Sequence, residues 1–374
     1  MCGLLYLIMQ VELSGPIDSL RFLNSIHTTA RQLKICTQII KTFGLSNLPI
    51  SLVESRMVDW SIEKEKVDSN YTNSPGKITE RGKKTTALHH YIALCKELGL
   101  IKSLGNLFSN SRAGLLLLSL LPQNKYCINL SNEEIAIYKY YLLEKDADGI
   151  LLALSIAYDH PEIRQKDVRE IFLRSLSERL LHKQANALPI VRQLINEKYR
   201  TINFLWKNAK SYAEHIIVPR YEWLSHLGLI NIEKGKNTNY SLTDSGVNFF
   251  ESLPTFGNIK DINEEWINSN LFTTLNSVES GSRTFFSTMA DAQKSDLLGE
   301  SISNAIDKIK SSSSFKSPLF ETVLYSCFHL YFDKNIIAEI KEAISILRKG
   351  LTHSNRNFSI KENARINESY ILYR

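Results

Sequence analysis

The chain has 374 residues, of which 43% are apolar, and its 45 basic and 39 acidic residues give a formal net charge of +6. An apolar fraction of this size is typical of chains with packed cores, so disorder of the whole chain is excluded. The length predicts two or three domains. The modest positive charge permits a polyanionic partner such as nucleic acid but does not require one.

The five cysteines are spaced singly, without a C-x-x-C pair. This spacing fits neither a disulfide framework nor a zinc ribbon, and it favours a reducing, cytoplasmic location. The apolar run from Gly3 to Met9 is far shorter than the roughly 20 residues that span a membrane, and no basic leader or cleavage site accompanies it. We expect it to be a buried strand or the start of a core element, with no membrane partner.

Apolar residues recur at steps of three and four from Pro16 to Phe43. This periodicity predicts one long helix with Pro16 in its first turn and Gly44 as its stop. Residues 60–85, by contrast, are polar, contain an Asn-Ser-Pro-Gly stretch and lack apolar periodicity, so they are expected to form a long loop or a mobile insertion. No tandem repeat of fixed period is evident.

A first pattern of helix, hairpin and helix begins at Thr85. Apolar residues fall on one face of a helix that Gly99 ends, and the following residues are predicted to form a short hairpin. Its turn is either Gly105-Asn106 or the Ser109–Ser111 cluster. An apolar helix is then expected to begin near Arg112.

A second pattern spans Pro219 to Leu253. Pro219 suits the first turn of a helix that Gly228 ends, and two alternating segments around residues 234–237 are predicted to pair as a hairpin. Thr243 or Asp244 is expected to cap a final helix.

These two stretches resemble the winged helix-turn-helix superfamily, in which a Leu-Gly-Leu-Ile phrase ends a helix and a β-hairpin wing and a Leu-Thr-x-x-Gly phrase follow. The matching residues are Leu98-Gly99-Leu100-Ile101, Leu227-Gly228-Leu229-Ile230 and Leu242-Thr243-Asp244-Ser245-Gly246. The first unit departs from the second phrase, since it has Ser111-Arg112-Ala113-Gly114 there. The resemblance covers about a third of the chain and is specific to fold rather than to function.

In DNA-binding members of this superfamily, the helix before the wing enters the major groove and wing residues meet phosphates or the minor groove. Basic side chains that neutralise phosphates release counterions, while base edges are read by hydrogen bonds. The resemblance assigns these roles in the first unit to Lys83, Lys84, Thr85, Thr86, His89, His90, Lys96, Lys102 and Arg112. In the second unit it assigns them to Lys207, Lys210, Arg220, Tyr221, Lys234, Lys236 and Asn237. The interval 77–112 contains seven basic residues against two acidic ones. However, many winged helices are dimerisation or scaffold modules, and a lysine at a hairpin tip is commonly only solvated.

The sequence gives only weak indications of nucleotide binding, metal binding or nuclease activity. The spacing in residues 76–85 does not fit a phosphate-binding loop, no histidine or cysteine pattern indicates a metal, and no cofactor motif is present. Asp333 with Glu339 and Lys341 is the nearest approach to a nuclease motif. Apolar periodicity, however, predicts one helix from Asn335 to Lys349 with Glu339, Lys341 and Glu342 on its solvated face. Asp146 and Asp148 are interpreted as a cap for the helix that follows them.

The sequence therefore predicts a mostly α, multi-domain protein with small β-hairpins. Its expected divisions are a winged-helix-like unit with a basic loop at 1–130, a helical connector at 131–186, a second winged-helix unit at 187–256 and a helical region at 257–374. In the last region, two alternating segments are expected to pair around residues 363–366, either as part of a third winged unit or as an edge that joins a partner sheet.

The predicted function is non-enzymatic binding of duplex DNA. The additional helical regions favour a component of a bacterial defence, restriction or DNA-maintenance complex, with a protein partner or a homo-oligomer as further partners. The alternatives are a protein-binding scaffold or kleisin-like accessory subunit, and a nuclease with an irregular site.

Overall fold

A computed structural model of the protein describes residues 17–24, 26–121, 129–235, 237–278, 282–309, 315–363 and 368–374. Within these ranges the chain is mostly helical with small sheets, as the sequence predicts. None of the described helices is long and apolar enough to cross a membrane. The apolar run at residues 3–9 lies outside the described ranges.

Three stretches of the chain share one order of elements: a helix, a short strand, further helices and a hairpin. Unit one comprises α1 (Leu33–Phe43), β1 (Leu48–Pro49), α2 (Ile50–Val67), α3 (Ser69–Thr72), β2 (Thr79–Glu80), β3 (Lys83–Lys84), α4 (Ala87–Glu97), β4 (Ile101–Leu104), β5 (Leu107–Asn110) and α5 (Arg112–Leu120). Unit two comprises α6 (Asn132–Asp159), β6 (Ile163–Arg164), α7 (Gln165–Asn186), α8 (Pro189–Arg200), a π-helix (Thr201–Leu205), α9 (Ala209–His226), β7 (Ile230–Glu233), β8 (Asn239–Leu242) and α10 (Asp244–Ser252).

Unit three follows a connecting region. That region consists of β9 (Thr255–Phe256), β10 (Ile259–Lys260), α11 (Glu264–Val278), β11 (Thr284–Phe285) and a 3-10 turn (Phe286–Thr288). Unit three comprises α12 (Asp291–Ile309), β12 (Lys316–Pro318), α13 (Leu319–Asp333), β13 (Ile336–Ile337), α14 (Ile340–Arg348), β14 (Leu351–His353), β15 (Arg356–Lys361) and β16 (Tyr370–Tyr373). The repeat is therefore one of topology and not of sequence period.

The sheets of the three units are built alike. In units one and two the first short strand pairs with the second strand of the hairpin, which gives the orders β1-β5-β4 and β6-β8-β7. Unit three has the order β12-β16-β15-β14, so β16 is inserted between the first strand and the hairpin. The predicted division at residue 186 separates β6 from β8, with which it pairs through Ile163 and Tyr240.

Unit one joins its hairpin to the flanking helices by a compact set of hydrogen bonds. The chain leaves α4 at Gly99, whose φ of +71° favours glycine. The Ser111 hydroxyl donates to the Gly99 carbonyl and accepts a hydrogen bond from the Gly114 amide at 3.1 Å. The Ser111 amide donates to the Leu100 carbonyl at 2.9 Å.

Unit two repeats this junction. Gly228 has a φ of +73°, and the Thr243 hydroxyl donates to its carbonyl at 2.7 Å and accepts from the Gly246 amide at 2.9 Å. The Thr243 amide donates to the Leu229 carbonyl at 3.1 Å. The Ser111 phrase of unit one is thus equivalent to the Leu-Thr-x-x-Gly phrase of unit two, although its residues differ.

A non-helical strap, residues 17–24, crosses α6 ahead of unit one. The backbone amides of Arg21 and Leu23 donate to the carboxylates of Asp148 (2.9 Å) and Asp146 (3.0 Å), so they are not used in a helix. The prediction of one helix from Pro16 to Phe43 is wrong in its first half, because α1 begins only at Leu33. The periodic apolar residues of this segment are buried by contacts with the rest of the chain.

Beneath the strap lies a central ionic cluster of six buried side chains. It consists of Asp146, Asp148, Arg179, Lys183, Arg220 and Asp261. Two guanidinium nitrogens of Arg220 donate hydrogen bonds to the Asp146 carboxylate at 2.5 and 2.8 Å. The Asp148 carboxylate accepts hydrogen bonds from Arg179 at 2.8 Å and from Lys183 at 2.7 Å. Burial alone would raise the pKa of Asp148, but these two cations lower it to about 2. Asp146 forms a kink of α6 with non-helical backbone angles (φ −136°, ψ 23°). The prediction of a cap is wrong because both carboxylates bind the strap amides and the cations rather than amides of the helix that follows.

Residues 60–85 are ordered into elements, contrary to the prediction of a long loop. The second half of α2, the short α3 and the β2–β3 hairpin occupy most of this segment. Ser61 and Tyr71 are buried and share a hydrogen bond of 2.7 Å, which anchors α3 on α2. Contacts between buried polar side chains within the segment thus contribute to an order that apolar periodicity does not predict.

The C-terminal region confirms one prediction and corrects another. The two alternating segments pair as β15 and β16, with Ile360 opposite Ile371. The predicted helix from Asn335 to Lys349 is shorter, because Ile336–Ile337 form β13 and pair with β11. Asn335 has a φ of +55°, which is incompatible with the start of a right-handed helix.

Candidate nucleic-acid interface

Helix α4 of unit one presents an open polar stripe. Its buried face, which includes Leu88, Tyr91 and Cys95, packs into the core, and Thr86, His89 and Lys96 are exposed on the opposite side. These three positions recur at helical spacing and lie along one face. The eleven residues of α4 form an α-helix, whose diameter with side chains is about 10 to 12 Å and which therefore suits a major groove about 12 Å wide.

Exposed basic residues stand at both ends of this stripe. The β2–β3 hairpin before α4 carries Arg81, Lys83 and Lys84, and the β4–β5 hairpin after it carries Lys102. Lys84 forms an ion pair with Glu54 at 2.7 Å. No ion pair with another described residue is formed by Arg81, Lys83, Lys96 or Lys102.

Arg81 was not among the residues singled out from the sequence. It occupies the tip of the β2–β3 hairpin with Gly82, and both have positive φ values, of +50° and +73°. A residue followed by glycine between two short segments is a signal for a two-residue hairpin turn, and it marks this position as an exposed tip. Of the other sequence-derived positions, Thr85 is half-buried and its hydroxyl donates to the Lys77 carbonyl at 3.1 Å.

His90 is half-buried and faces the segment just before α1. Its ring stacks on His27 at 3.8 Å between centroids, and His27 stacks in turn on His215 of α9 at 4.8 Å. Burial and the neighbouring histidines lower the pKa of both His27 and His90. This histidine stack (His27, His90 and His215) therefore connects the candidate DNA-reading helix to unit two.

Helix α9, the corresponding helix of unit two, has no open stripe. Every residue from Ile216 to Leu224 is buried. The Trp223 indole donates to the Ala30 carbonyl at 2.8 Å, and Glu222 pairs with Arg31 at 3.4 Å. The part of α9 from Ile216 to Leu224 is therefore enclosed by the segment just before α1, by α6 and by α7, and it has no surface for a DNA groove.

The assignment of Arg220 and Tyr221 to DNA contact is consequently wrong. Arg220 is committed to Asp146, and Tyr221 stacks on Tyr240 at 4.2 Å and donates to the Ala153 carbonyl at 3.2 Å. The error comes from the predicted helix start, since Pro219 lies inside α9 and not in its first turn.

The remaining candidates of unit two are scattered over its surface. Lys234 and Asn237 are exposed at the tip of the β7–β8 hairpin, and Lys236 between them lies outside the described residues. Lys207 is exposed after the π-helix, and Lys210 is exposed but paired with Glu170 at 2.5 Å. The structure does not gather these residues with an accessible helix.

Arg112 of unit one is exposed at the start of α5. Burial raises the pKa of Glu321 in α13, and the positive charge of Arg112 opposes this rise. Arg112 therefore acts at the contact between units one and three.

The residues considered for nuclease chemistry are not assembled into a centre. The Glu339 carboxylate accepts hydrogen bonds from the amides of Phe272 (3.2 Å) and Thr273 (2.7 Å), and Asp333 lies beside His329 at 3.3 Å. In the part of the chain that the structure describes, no group of three or more histidine, cysteine, aspartate or glutamate side chains is arranged to hold a metal ion.

No known protein family, curated protein or solved structure was found to match this chain.

Proposed function

We propose that the chain is a non-enzymatic, winged-helix DNA-binding protein whose unit one contacts duplex DNA. The observation that carries this proposal is the open polar stripe of α4, flanked at both ends by exposed basic residues that have no described ion-pair partner. The order of elements and the order of strands in the three units support the winged-helix assignment.

The roles within this interface follow from side-chain chemistry. Thr86 and His89 carry hydrogen-bonding groups on the exposed stripe, which suits them to base edges in the major groove. Arg81, Lys83, Lys96 and Lys102 suit phosphates on either side of that groove. Two further units accompany the one proposed to contact DNA, which supports a subunit of a larger complex. The proposed setting is a bacterial defence, restriction or DNA-maintenance complex.

Salt-dependent binding to duplex DNA tests the proposal. Fluorescence anisotropy between about 50 and 200 mM salt is expected to show binding that weakens steeply with salt for the natural chain. The variant Lys83→Glu/Lys102→Glu is expected to bind more weakly, with a slope of log affinity against log salt that is smaller by about two.

A matched control is Lys166→Glu/Arg174→Glu, which makes the same change in charge at two exposed positions of α7. This variant is expected to bind like the natural chain. The proposal is refuted if the natural chain does not bind DNA at low salt, or if the α7 and unit one variants are weakened equally.

A protein-binding scaffold is the second candidate function, and one observation favours it. The outer face of α8 and the π-helix exposes Ile190 (74%), Phe204 (76%) and Leu205 (67%). Clusters of exposed apolar residues mark contact surfaces in many proteins. Salt-insensitive association of the chain, measured by light scattering and combined with no binding to DNA, would replace the first proposal by this one.

A further inference from the structure

Unit three repeats the helix-to-hairpin junction of units one and two. The chain leaves α14 at Gly350, whose φ is +87°, and its amide donates to the Leu347 carbonyl at 3.0 Å. Gly99 and Gly228 donate in the same way to the carbonyls three residues before them. The Lys349-Gly350-Leu351 phrase therefore occupies the place of the Leu-Gly-Leu phrases, a signal that is visible in the sequence.

Helix α14 has an open stripe like that of α4 and unlike the enclosed α9. Ile340, Ala343, Ile344 and Leu347 form its buried face. Lys341, Ser345, Arg348 and Lys349 are exposed, and their spacing of three, four and eight residues places them on one outward face. The β14–β15 hairpin beside this helix turns at Ser354 and Asn355, both with positive φ values (+47° and +64°), so its tip is tight and polar.

The outward face is basic at its C-terminal end. Residues 340–361 contain five basic residues against one acidic residue. Arg348 pairs with Glu362 at 2.6 Å, and both side chains are more than half exposed. An ion pair of this kind contributes little stability and is readily exchanged for a phosphate. Lys349 and Lys361 are exposed and form no ion pair with another described residue.

The N-terminal end of the same helix is acidic. Lys341 there forms an ion pair with Glu265, and Glu339 and Glu342 lie beside it. Carboxylates at this end repel phosphates, so a polyanion is accepted only at the other end, around Ser345, Arg348, Lys349 and Lys361. We call these four residues the α14 patch.

We propose that the α14 patch is a second DNA-binding surface, which takes the phosphates of duplex DNA on Arg348, Lys349 and Lys361, with Ser345 turned toward the groove. This inference rests on the proposed function for the nature of the ligand but on separate residues for the site. Units one and three pack together through α5 against α12 and α13, so the α4 surface and the α14 patch belong to one packed molecule. Two linked sites raise the overall affinity beyond that of either one.

The test compares full-length chains by the same anisotropy titration. The variant Lys349→Glu/Lys361→Glu is expected to lower affinity roughly tenfold or more at about 0.1 M salt and to reduce the salt slope by about two. Lys166→Glu/Arg174→Glu again serves as the control. A photocrosslinker placed at Ser345→Cys is expected to label DNA, whereas one placed at Gln193→Cys, exposed on α8, is not.

The outcomes separate the two proposals. If the natural chain binds DNA, the α14 variant binds equally well and position 345 does not crosslink, the second surface is overturned. The proposed role of unit one then stands. Failure of the natural chain to bind DNA overturns both. Because the substituted side chains are exposed, circular dichroism and thermal unfolding of the variant are expected to match those of the natural chain.

Discussion

Arg220 is wholly buried, and its charge is balanced by Asp146 through a bidentate ion pair. Its location decides its role, because a guanidinium without contact to solvent cannot meet a phosphate. The ring of Phe22 in the strap lies 4.5 Å from the guanidinium carbon, so the strap also covers this pair. Arg220 therefore joins α9 to the kink of α6 and stabilises the fold.

Replacing Arg220 by methionine is expected to destabilise the protein by about 3 to 5 kcal/mol. The substitution keeps much of the side-chain volume but leaves the carboxylate of Asp146 buried without its cation. Urea unfolding followed by circular dichroism measures the change. Arg174→Met is the matched control, since Arg174 and Glu178 form an exposed ion pair at 2.9 Å whose loss is expected to cost less than about 1 kcal/mol. Equal effects of the two substitutions would contradict the structural role of Arg220.

The sequence alone could not identify this pair. Arg220 and Asp146 are 74 residues apart. From its neighbours in sequence, Arg220 is interpreted as a residue of a helix start and Asp146 as a helix cap. Ion pairs across such distances depend on how helices pack, which leaves no trace in local spacing. Lys83, Lys102 and His89, which the sequence assigns to DNA contact, are exposed, and that assignment stays a prediction.

At the scale of elements, glycine residues hold helix α5 and helix α10 close to the strands before them. A Cβ atom added at Gly114 would lie 2.1 Å from the Leu100 carbonyl oxygen, and one added at Gly246 would lie 2.0 Å from the Leu229 carbonyl oxygen. Neither glycine has a positive φ, so close approach and not backbone conformation requires them.

Gly114→Ala and Gly246→Ala are each expected to destabilise the protein by about 1 to 3 kcal/mol, since helix and hairpin must separate to admit the methyl group. The sign is opposite to that of helix propensity, by which alanine is favoured over glycine by about 1 kcal/mol. Differential scanning fluorimetry detects the change as a lower melting temperature. Gly235→Ala is the control, because its added Cβ would be 3.7 Å from the nearest atom, an ordinary contact. An unchanged melting temperature in the two helix variants would disprove the close approach.

Elements with local signals were predictable, and those that depend on distant partners were not. The hairpins β4–β5 and β7–β8 and the helices after them follow from glycine stops, alternating residues and Ser or Thr caps. The strap was mistaken for helix because its apolar residues recur with helical spacing, whereas its amides are bound by Asp146 and Asp148. Likewise, β13 was assigned to a helix because its pairing with β11 is a long-range contact.

At the scale of the whole molecule, unit two connects other parts of the chain and presents no open helix to DNA. Its helix α9 contacts the segment just before α1 through Trp223 and is linked to α4 by the histidine stack. Its helix α6 carries the strap and packs against α11. The predicted second DNA-binding unit is therefore the one that joins the others. Its enclosed helix leaves the open helices α4 and α14, on either side of it in the chain, as the candidates for DNA.

The histidine stack is one of the contacts between unit two and α4. Its contribution to the stability of the fold is expected to depend on pH. Burial, together with the neighbouring histidines, lowers the pKa of His27 and His90 below the ordinary value of 6.5. As the pH falls, the unfolded chain therefore binds protons at these positions before the folded chain does. Their contribution to stability is complete above about pH 6.5 and is lost as the pH falls below it toward the lowered pKa values.

His27 stacks on both of the other rings, so His27→Gln removes the stack while keeping a polar side chain. The melting temperature of the natural chain is expected to fall between about pH 7.5 and about pH 5.5, and that of His27→Gln to fall less, because fewer groups gain protons on unfolding. His160→Gln, at an exposed position, is expected to follow the natural chain. His27→Gln could instead lose as much stability over this interval as the natural chain does. In that case the pH dependence of stability does not come from protonation of the histidine stack, and other titrating groups must account for it.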